Sequence, residues 1–424
     1  MSRDLVQETA RAIGLPDEEA RQAARARWSI LATAEGSLGR LQSLGEHLAA
    51  IRGKEQPAFH HKAVVVFVAD HGVTEEGVSA HPASLTAAML QNLLDGGSAI
   101  TVFARFLRAE LNVVDVGVDA PPLPPRPGFF SRKVARGTRN FAREPAMSSE
   151  QARESVRVGV EVALTLINSG VDLLAVGDLG IGNTTAAAAV LGALTGLPAE
   201  QLVGPGSGGN EQQMRRKLTV VSSALERHVP RRENPWEVLE TVGGFEIGAM
   251  AGAYLAAASR RVPVIVDGLT AASAALLATV IAPRLRPFLV PSHVSNEPGH
   301  KVALDALGLQ PYFDFSTQMG EGTSAALQMG LCDLASRLLR EMATTDEVAA
   351  ARTRREGGSE GSPDPSSVVV ARSWEPRNAP PHSRPSGAAG SHAPPAAGLR
   401  LGPEAAPPSP PSARSDARGP AAPR

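Results

Sequence analysis

Apolar residues in this chain follow two alternating rhythms. Short unbroken runs rich in β-branched residues, AVVVFVAD (63–70), ELNVVDVGVD (110–119), VDLLAVGD (171–178), VPVIVDG (262–268) and RPFLVPSH (286–293), have the length and composition of strands buried on both faces. Between them lie longer segments with apolar positions every three or four residues, such as PASLTAAMLQNLLDGG (82–97), SSEQARESVRVGVEVALTLINSG (148–170) and GGFEIGAMAGAYLAAA (243–258), which predict helices. The alternation predicts an α/β fold, a doubly wound parallel sheet with helices on both faces. Ligands in such sheets gather beyond the carboxyl ends of the strands, so the residues that end each run carry most of the information about function. Ahead of the first strand, residues 1–60 read as helical, with helical spacing across RWSILATAEGSLGRLQSLGEHLAAI (27–51), and are expected to pack apart from the sheet.

Composition divides the chain near residue 345. Beyond it the sequence turns to Pro, Ser, Gly, Ala and Arg with few large apolar groups, too few to offset chain entropy, so 346–424 is expected to be a disordered tail. Over the 424 residues, a hydrophobic content of 43% supports a large core before that point. With 42 basic and 43 acidic residues, the net charge of -1 sets up no field that would attract nucleic acid or an acidic membrane. The single cysteine, Cys332, excludes an intramolecular disulfide and fits a reducing compartment. The opening MSRDLVQETARAIGL has acidic residues and no apolar signal core, and no apolar run reaches the roughly 18 residues of a membrane-spanning helix. A cytoplasmic protein is expected.

Glycine-rich turns sit where strands hand over to helices. DLGIGNTTAAAAVLGAL (178–194) brings Gly180, Gly182, Asn183, Thr184 and Thr185 into an alanine-rich helix. Free N–H groups and two hydroxyls at a positive helix end suit a phosphate, the alternative being a capped tight turn. The spacing is neither GxGxxG nor GxxxxGK[ST]. GPGSGGNEQQMRRK (204–217) adds a second flexible loop and Lys217, a compact charge that either closes over the same anion or is simply solvated. PSHVSNEPGHKVALDALG (291–308) places Ser292, His293, Ser295 and His300 at another strand-to-helix rim. In TQMGEGTSAAL (317–327), Glu321 stands between two glycines, presented rather than packed away. It is either a working carboxylate or a first-turn acid before a helix capped by Thr323 or Ser324. His60, His61, His71, His81, His293 and His300, with Asp70 and Asp267, raise a metal-site alternative. HExxH and repeated Cys/His pairs are absent, so no metal is expected.

Taken in order, ADHGVTEEGVSAHP, DVGVD, VARGTRNFAREPAMS, VGDLGIGNTT, VGGFEIGAMAGA, VDGLTAASAAL, PSHVSNEPGH, ALDALGLQPYFDF and MGEGTSAALQM closely resemble the nicotinate-nucleotide–dimethylbenzimidazole phosphoribosyltransferases, over residues 5–340. The resemblance implies a Rossmann-like domain over 61–320, a small helical domain formed from the chain ends (1–60 and a helix over 321–345), and a homodimer. It implies transfer of phosphoribose from nicotinate mononucleotide to dimethylbenzimidazole with inversion, giving α-ribazole 5′-phosphate and nicotinate, with no cofactor. Glu321 falls on the family's general base. Gly180, Gly182, Asn183, Thr184, Gly204, Gly206, Ser207, Lys217 and Ser292 are implied for phosphate and ribose, and Ser79, His81, Met89, Met319 and Gly320 for the base pocket.

Three departures stand out. Asp178, the second catalytic candidate, is a methylene shorter than the glutamate usual at its position, Met89 falls where some members carry glutamine, and GPGSGGNEQQ differs from the family's usual loop. The tail has no counterpart in a typical member. The alternative reading is a catalytically inactive protein of the same fold that binds nucleotides or aromatic ligands. The pKa of Glu321 is left open between a dry pocket, which would raise it, and a helix N-terminus, which would lower it.

Overall fold

A computed structural model describes residues 4–34, 36–206, 208–317 and 319–356. Ser207 and positions 357–424 of the expected tail lie outside the described residues. The apolar runs become the strands β1 (Lys62–Ala69), β2 (Glu110–Gly117), β4 (Leu173–Leu179), β5 (Val264–Val266) and β6 (Leu289–Pro291), joined by an unforeseen short β3 (Phe129–Ser131). The helices are α1 (Leu5–Arg11), α2 (Glu18–Ile30), α3 (Arg40–Arg52), α4 (Leu85–Leu94), α5 (Ala99–Leu107), α6 (Ser149–Asn168), α7 (Asn183–Thr195), α8 (Glu211–His228), α9 (Pro235–Val242), α10 (Phe245–Ser259), α11 (Leu269–Ile281), α12 (Pro298–Leu307), α13 (Thr323–Glu341) and α14 (Thr345–Glu356).

The strands form one parallel sheet in the order β3-β2-β1-β4-β5-β6. The chain enters at β1, winds outward to β3, then returns to β4 and winds the other way. At the β1/β4 junction the connections diverge, which opens a crevice beyond the carboxyl ends of the strands. Both junction strands are buried along nearly their whole length, as strands covered by helices on both faces must be. Helix α10 is buried from Phe245 to Ala258, and its Ala/Gly-rich surface lets it lie close against α6 and the sheet.

Two expectations are corrected. The helical spacing of 27–51 is broken between α2 and α3, where Gly36 and Gly39 adopt positive φ (72° and 49°). Residues 346–356, assigned by composition to the tail, form most of α14. The Thr344 N–H donates to Glu347 Oε2 (2.8 Å) and the Glu347 N–H donates back to Thr344 Oγ1 (3.2 Å), a reciprocal cap that starts a helix in a polar segment. Among the described residues no helix is long and apolar enough to cross a membrane.

Candidate active site

A cavity of about 360 Å³ opens at the carboxyl ends of β4 and β5 and beside the loop after β6. One wall is the loop that carries Glu321. That loop rests directly on β4, because residue 177 is glycine: a Cβ there would lie 2.3 Å from the Gly322 nitrogen. The Glu321 N–H donates to the Asp178 carbonyl (3.1 Å), and Glu321 itself takes the left-handed region at φ 62°, uncommon for a side-chain-bearing residue. Asp267, just after β5, holds the following helix: its Oδ2 accepts from the Gly322 N–H (3.0 Å) and its Oδ1 from the Ala325 N–H (2.8 Å). The cap of α13 therefore comes from a remote strand end and not from Thr323 or Ser324. The Thr323 hydroxyl instead donates to the Gly320 carbonyl (2.9 Å).

The Glu321 side chain lines the cavity at 8% exposure, and its Oε2 is buried with no hydrogen-bond partner. Burial pushes its pKa above the ordinary value, the direction expected of a dry pocket. Asp178 lies beside it, and its Oδ2 accepts from Asn183 Nδ2 (2.5 Å). Its pKa is pushed up to about 7 by burial, then by the neighbouring Glu246 and Asp267 carboxylates. Behind it, fully buried Glu246 sits 2.9 Å from His71 Nε2. Burial opposes the His71 cation, yet Glu246, Asp70 and Asp178 together outweigh it and raise the imidazole pKa.

The facing wall joins the two glycine-rich loops. Lys217, alone in its RRK run, is turned inward at 3% exposure. Its Nζ donates to Thr184 Oγ1 (2.7 Å) and to the Gly204 carbonyl (3.1 Å), tying the start of α7 to the 204–206 segment. Burial lowers its pKa, against which the Glu297 carboxylate acts. The Asn183 side chain accepts from the Thr184 N–H (2.8 Å), and the Ile181 N–H donates to Thr86 Oγ1 (3.1 Å), so the turn is held from both sides. A third stretch of wall is apolar, formed by Leu85, Met89, Ile181 and Met319 with His81 at its edge.

Of the residues singled out in the sequence, His81, Met89, Asp178, Gly180, Asn183, Thr184, Gly206, His293, Ser295, Met319, Gly320 and Glu321 line this one cavity. Gly182, Gly204 and Lys217 stand behind the lining. Ser79 also does: its hydroxyl accepts from the His81 N–H (3.1 Å). Ser292 does not reach the cavity, and its hydroxyl donates to the Val266 carbonyl (2.7 Å). The structure adds Thr270 and Glu297 to the lining. Burial lowers the pKa of His293 to about 4, leaving a neutral ring at neutral pH. Glu297 carried one sequence signal, an acid directly before the proline that opens a helix beyond a strand end. Among the described residues, no three His, Cys, Asp or Glu side chains are grouped to hold a metal ion.

A family model described as a phosphoribosyltransferase matches residues 13–349. The chain is 48% identical over 345 residues to the nicotinate-nucleotide–dimethylbenzimidazole phosphoribosyltransferase of Chloroflexus aurantiacus, covering 81% of this chain and 98% of the relative. The enzyme of the same name from Pseudomonas putida is 45% identical over 335 residues, covering 79% and 95%. The crystal structure of CobT from Thermus thermophilus superposes with a TM-score of 0.75 at 45% identity, covering 78% of this chain and 98% of that one.

Proposed function

The chain belongs to the nicotinate-nucleotide–dimethylbenzimidazole phosphoribosyltransferase family, and from that premise we propose how its cavity carries out the transfer. The enzyme moves phosphoribose from nicotinate mononucleotide to dimethylbenzimidazole and releases nicotinate with α-ribazole 5′-phosphate. One benzimidazole nitrogen attacks C1′ of the ribose from the face opposite nicotinate. The bond from C1′ to the pyridinium breaks with its electron pair returning to the ring nitrogen, and the β-glycoside becomes an α-glycoside. The other benzimidazole nitrogen gives its proton to Glu321.

The observation that carries this assignment is the Glu321 carboxylate, buried at the cavity wall with one oxygen unpartnered and its basicity raised. A base in that setting is strong enough to take an azole proton and has no competing partner. Because the leaving group departs from a cation as a neutral ring, the protein's main task is to align two rings and hold the phosphate, where orientation contributes several kcal/mol. Lys217, Thr184 and the backbone of the two glycine-rich loops form the phosphate seat, a reading supported by the inward ammonium between Thr184 and Gly204. The stretch from His81 to Met89, with Met319, receives the benzimidazole. Met89 offers only apolar contact, so the pocket discriminates weakly between similar rings. Asp178 is a positioning residue, orienting Asn183 through its side chain and Glu321 through its carbonyl.

The enzyme acts in the cytoplasm as a homodimer. Val102 and Phe106, one turn apart on α5 and 57% and 83% exposed, support self-association. Incubation of the purified protein with nicotinate mononucleotide and dimethylbenzimidazole, followed by mass spectrometry, tests the reading. α-Ribazole phosphate and nicotinate are expected from the parent, with a large loss in Glu321→Gln. A parent that binds both ligands and forms no product would overturn it.

A further inference from the structure

Resting on the phosphate seat proposed above, we infer that Glu297 is a built-in competitor for that seat, an acid that the incoming phosphate must displace. Glu297 lines the cavity, and its Oε1 accepts the Gly206 N–H at 2.7 Å. Its Oε2 is buried with no hydrogen-bond partner, in space that only a glycine at 204 leaves open: a Cβ there would lie 2.1 Å from it. A Cβ at Gly206 would lie 3.1 Å from Thr184 Oγ1 and 3.3 Å from Lys217 Nζ, so carboxylate, hydroxyl and ammonium all border the same pair of glycines. Glu297 thus takes a backbone donor of the seat and supplies negative charge near its lysine, two things a bound phosphate would do.

The two anions cannot share the place. One N–H cannot serve both in full, and a carboxylate beside a phosphate in a partly desolvated wall is repelled. Glu297 precedes Pro298 at the start of α12 and its carbonyl accepts the His300 N–H (2.9 Å), but its carboxylate makes no cap there, so no helix-starting duty explains where the side chain points. The consequence is a common cost to every ligand that seats a phosphate. Inorganic phosphate alone binds poorly, whereas a nucleotide adds ring and ribose contacts that offset the displacement.

Inhibition by inorganic phosphate, measured against nicotinate mononucleotide in the full-length parent, Glu297→Gln, Glu297→Ala and Lys217→Ala, tests this, with melting temperatures confirming that each variant folds. Both Glu297 variants are expected to bind phosphate about tenfold more tightly than the parent, the change produced by one charged contact of ordinary strength. KM for the nucleotide is expected to fall with it. An unchanged phosphate Ki together with a raised nucleotide KM would overturn the proposal and make Glu297 a ribose-hydroxyl contact. Unchanged phosphate inhibition in Lys217→Ala would instead overturn the seat itself, a separate failure.

Discussion

At the scale of single residues, the acids of this cavity differ in what protonation does to them. Glu321 must be ionised to accept a proton, and burial raises its pKa above the ordinary 4.5, so single-turnover rates should fall on acidification with a midpoint above that value. Glu321→Gln should lower the rate by about 10²–10⁴-fold, the usual contribution of a general base. For Asp178 the effect is on stability. Its folded pKa is about 7 against an unfolded 3.8, so the folded state binds the proton more tightly. Its contribution is fully present below the unfolded value and is lost as pH rises through about 7. Asp178→Asn, which cannot ionise, should therefore match the parent in stability near pH 4 and exceed it by about 4 kcal/mol at pH 8. Denaturant titrations at both pH values check this, and a constant difference would contradict it. Glu321 and Lys217 were visible in the sequence because glycine neighbours and loop spacing marked them. Glu297 was not, since its significance lies in a contact with a loop 91 residues away.

At the scale of elements, the placement of the Glu321 carboxylate depends on a contact between two backbones. Gly177→Ala would force β4 and the 321–322 turn apart. A loss of about 1–3 kcal/mol, as for overpacked cores, is expected with a fall in kcat larger than any change in nucleotide KM. Thermal melts and steady-state kinetics measure both. The buried strands were legible because unbroken β-branched runs have few other destinations. β3 was not, because a half-buried edge strand of three residues carries no pattern of its own. The start of α14 was missed for a similar reason: composition dominated, while the reciprocal Thr344/Glu347 cap is a local geometric signal.

At the scale of the whole molecule, the family match ends at residue 349 and the last described helix at Glu356. Truncation after Glu356 is expected to leave kcat and melting temperature unchanged, and a fall in melting temperature would show that the removed segment supports the core. For the homodimer proposed above, Phe106→Glu, which charges the exposed apolar face of α5, should give a monomer in light scattering while leaving the helical circular dichroism intact.

The sequence by itself determined the fold class and the family, because hydrophobic rhythm and ordered motifs are properties of neighbours along the chain. It also marked most of the cavity-lining residues, since glycines and polar groups at strand ends reveal themselves locally. Tertiary structure decided everything that depends on which remote groups meet. It capped α13 with Asp267, buried Lys217 between two loops, raised the Asp178 pKa by burial and then by the charge of Glu246, and set Glu297 against Gly206. Hydrogen bonding and desolvation act over a few ångströms of space, and no spacing along the sequence encodes which distant residues will share them.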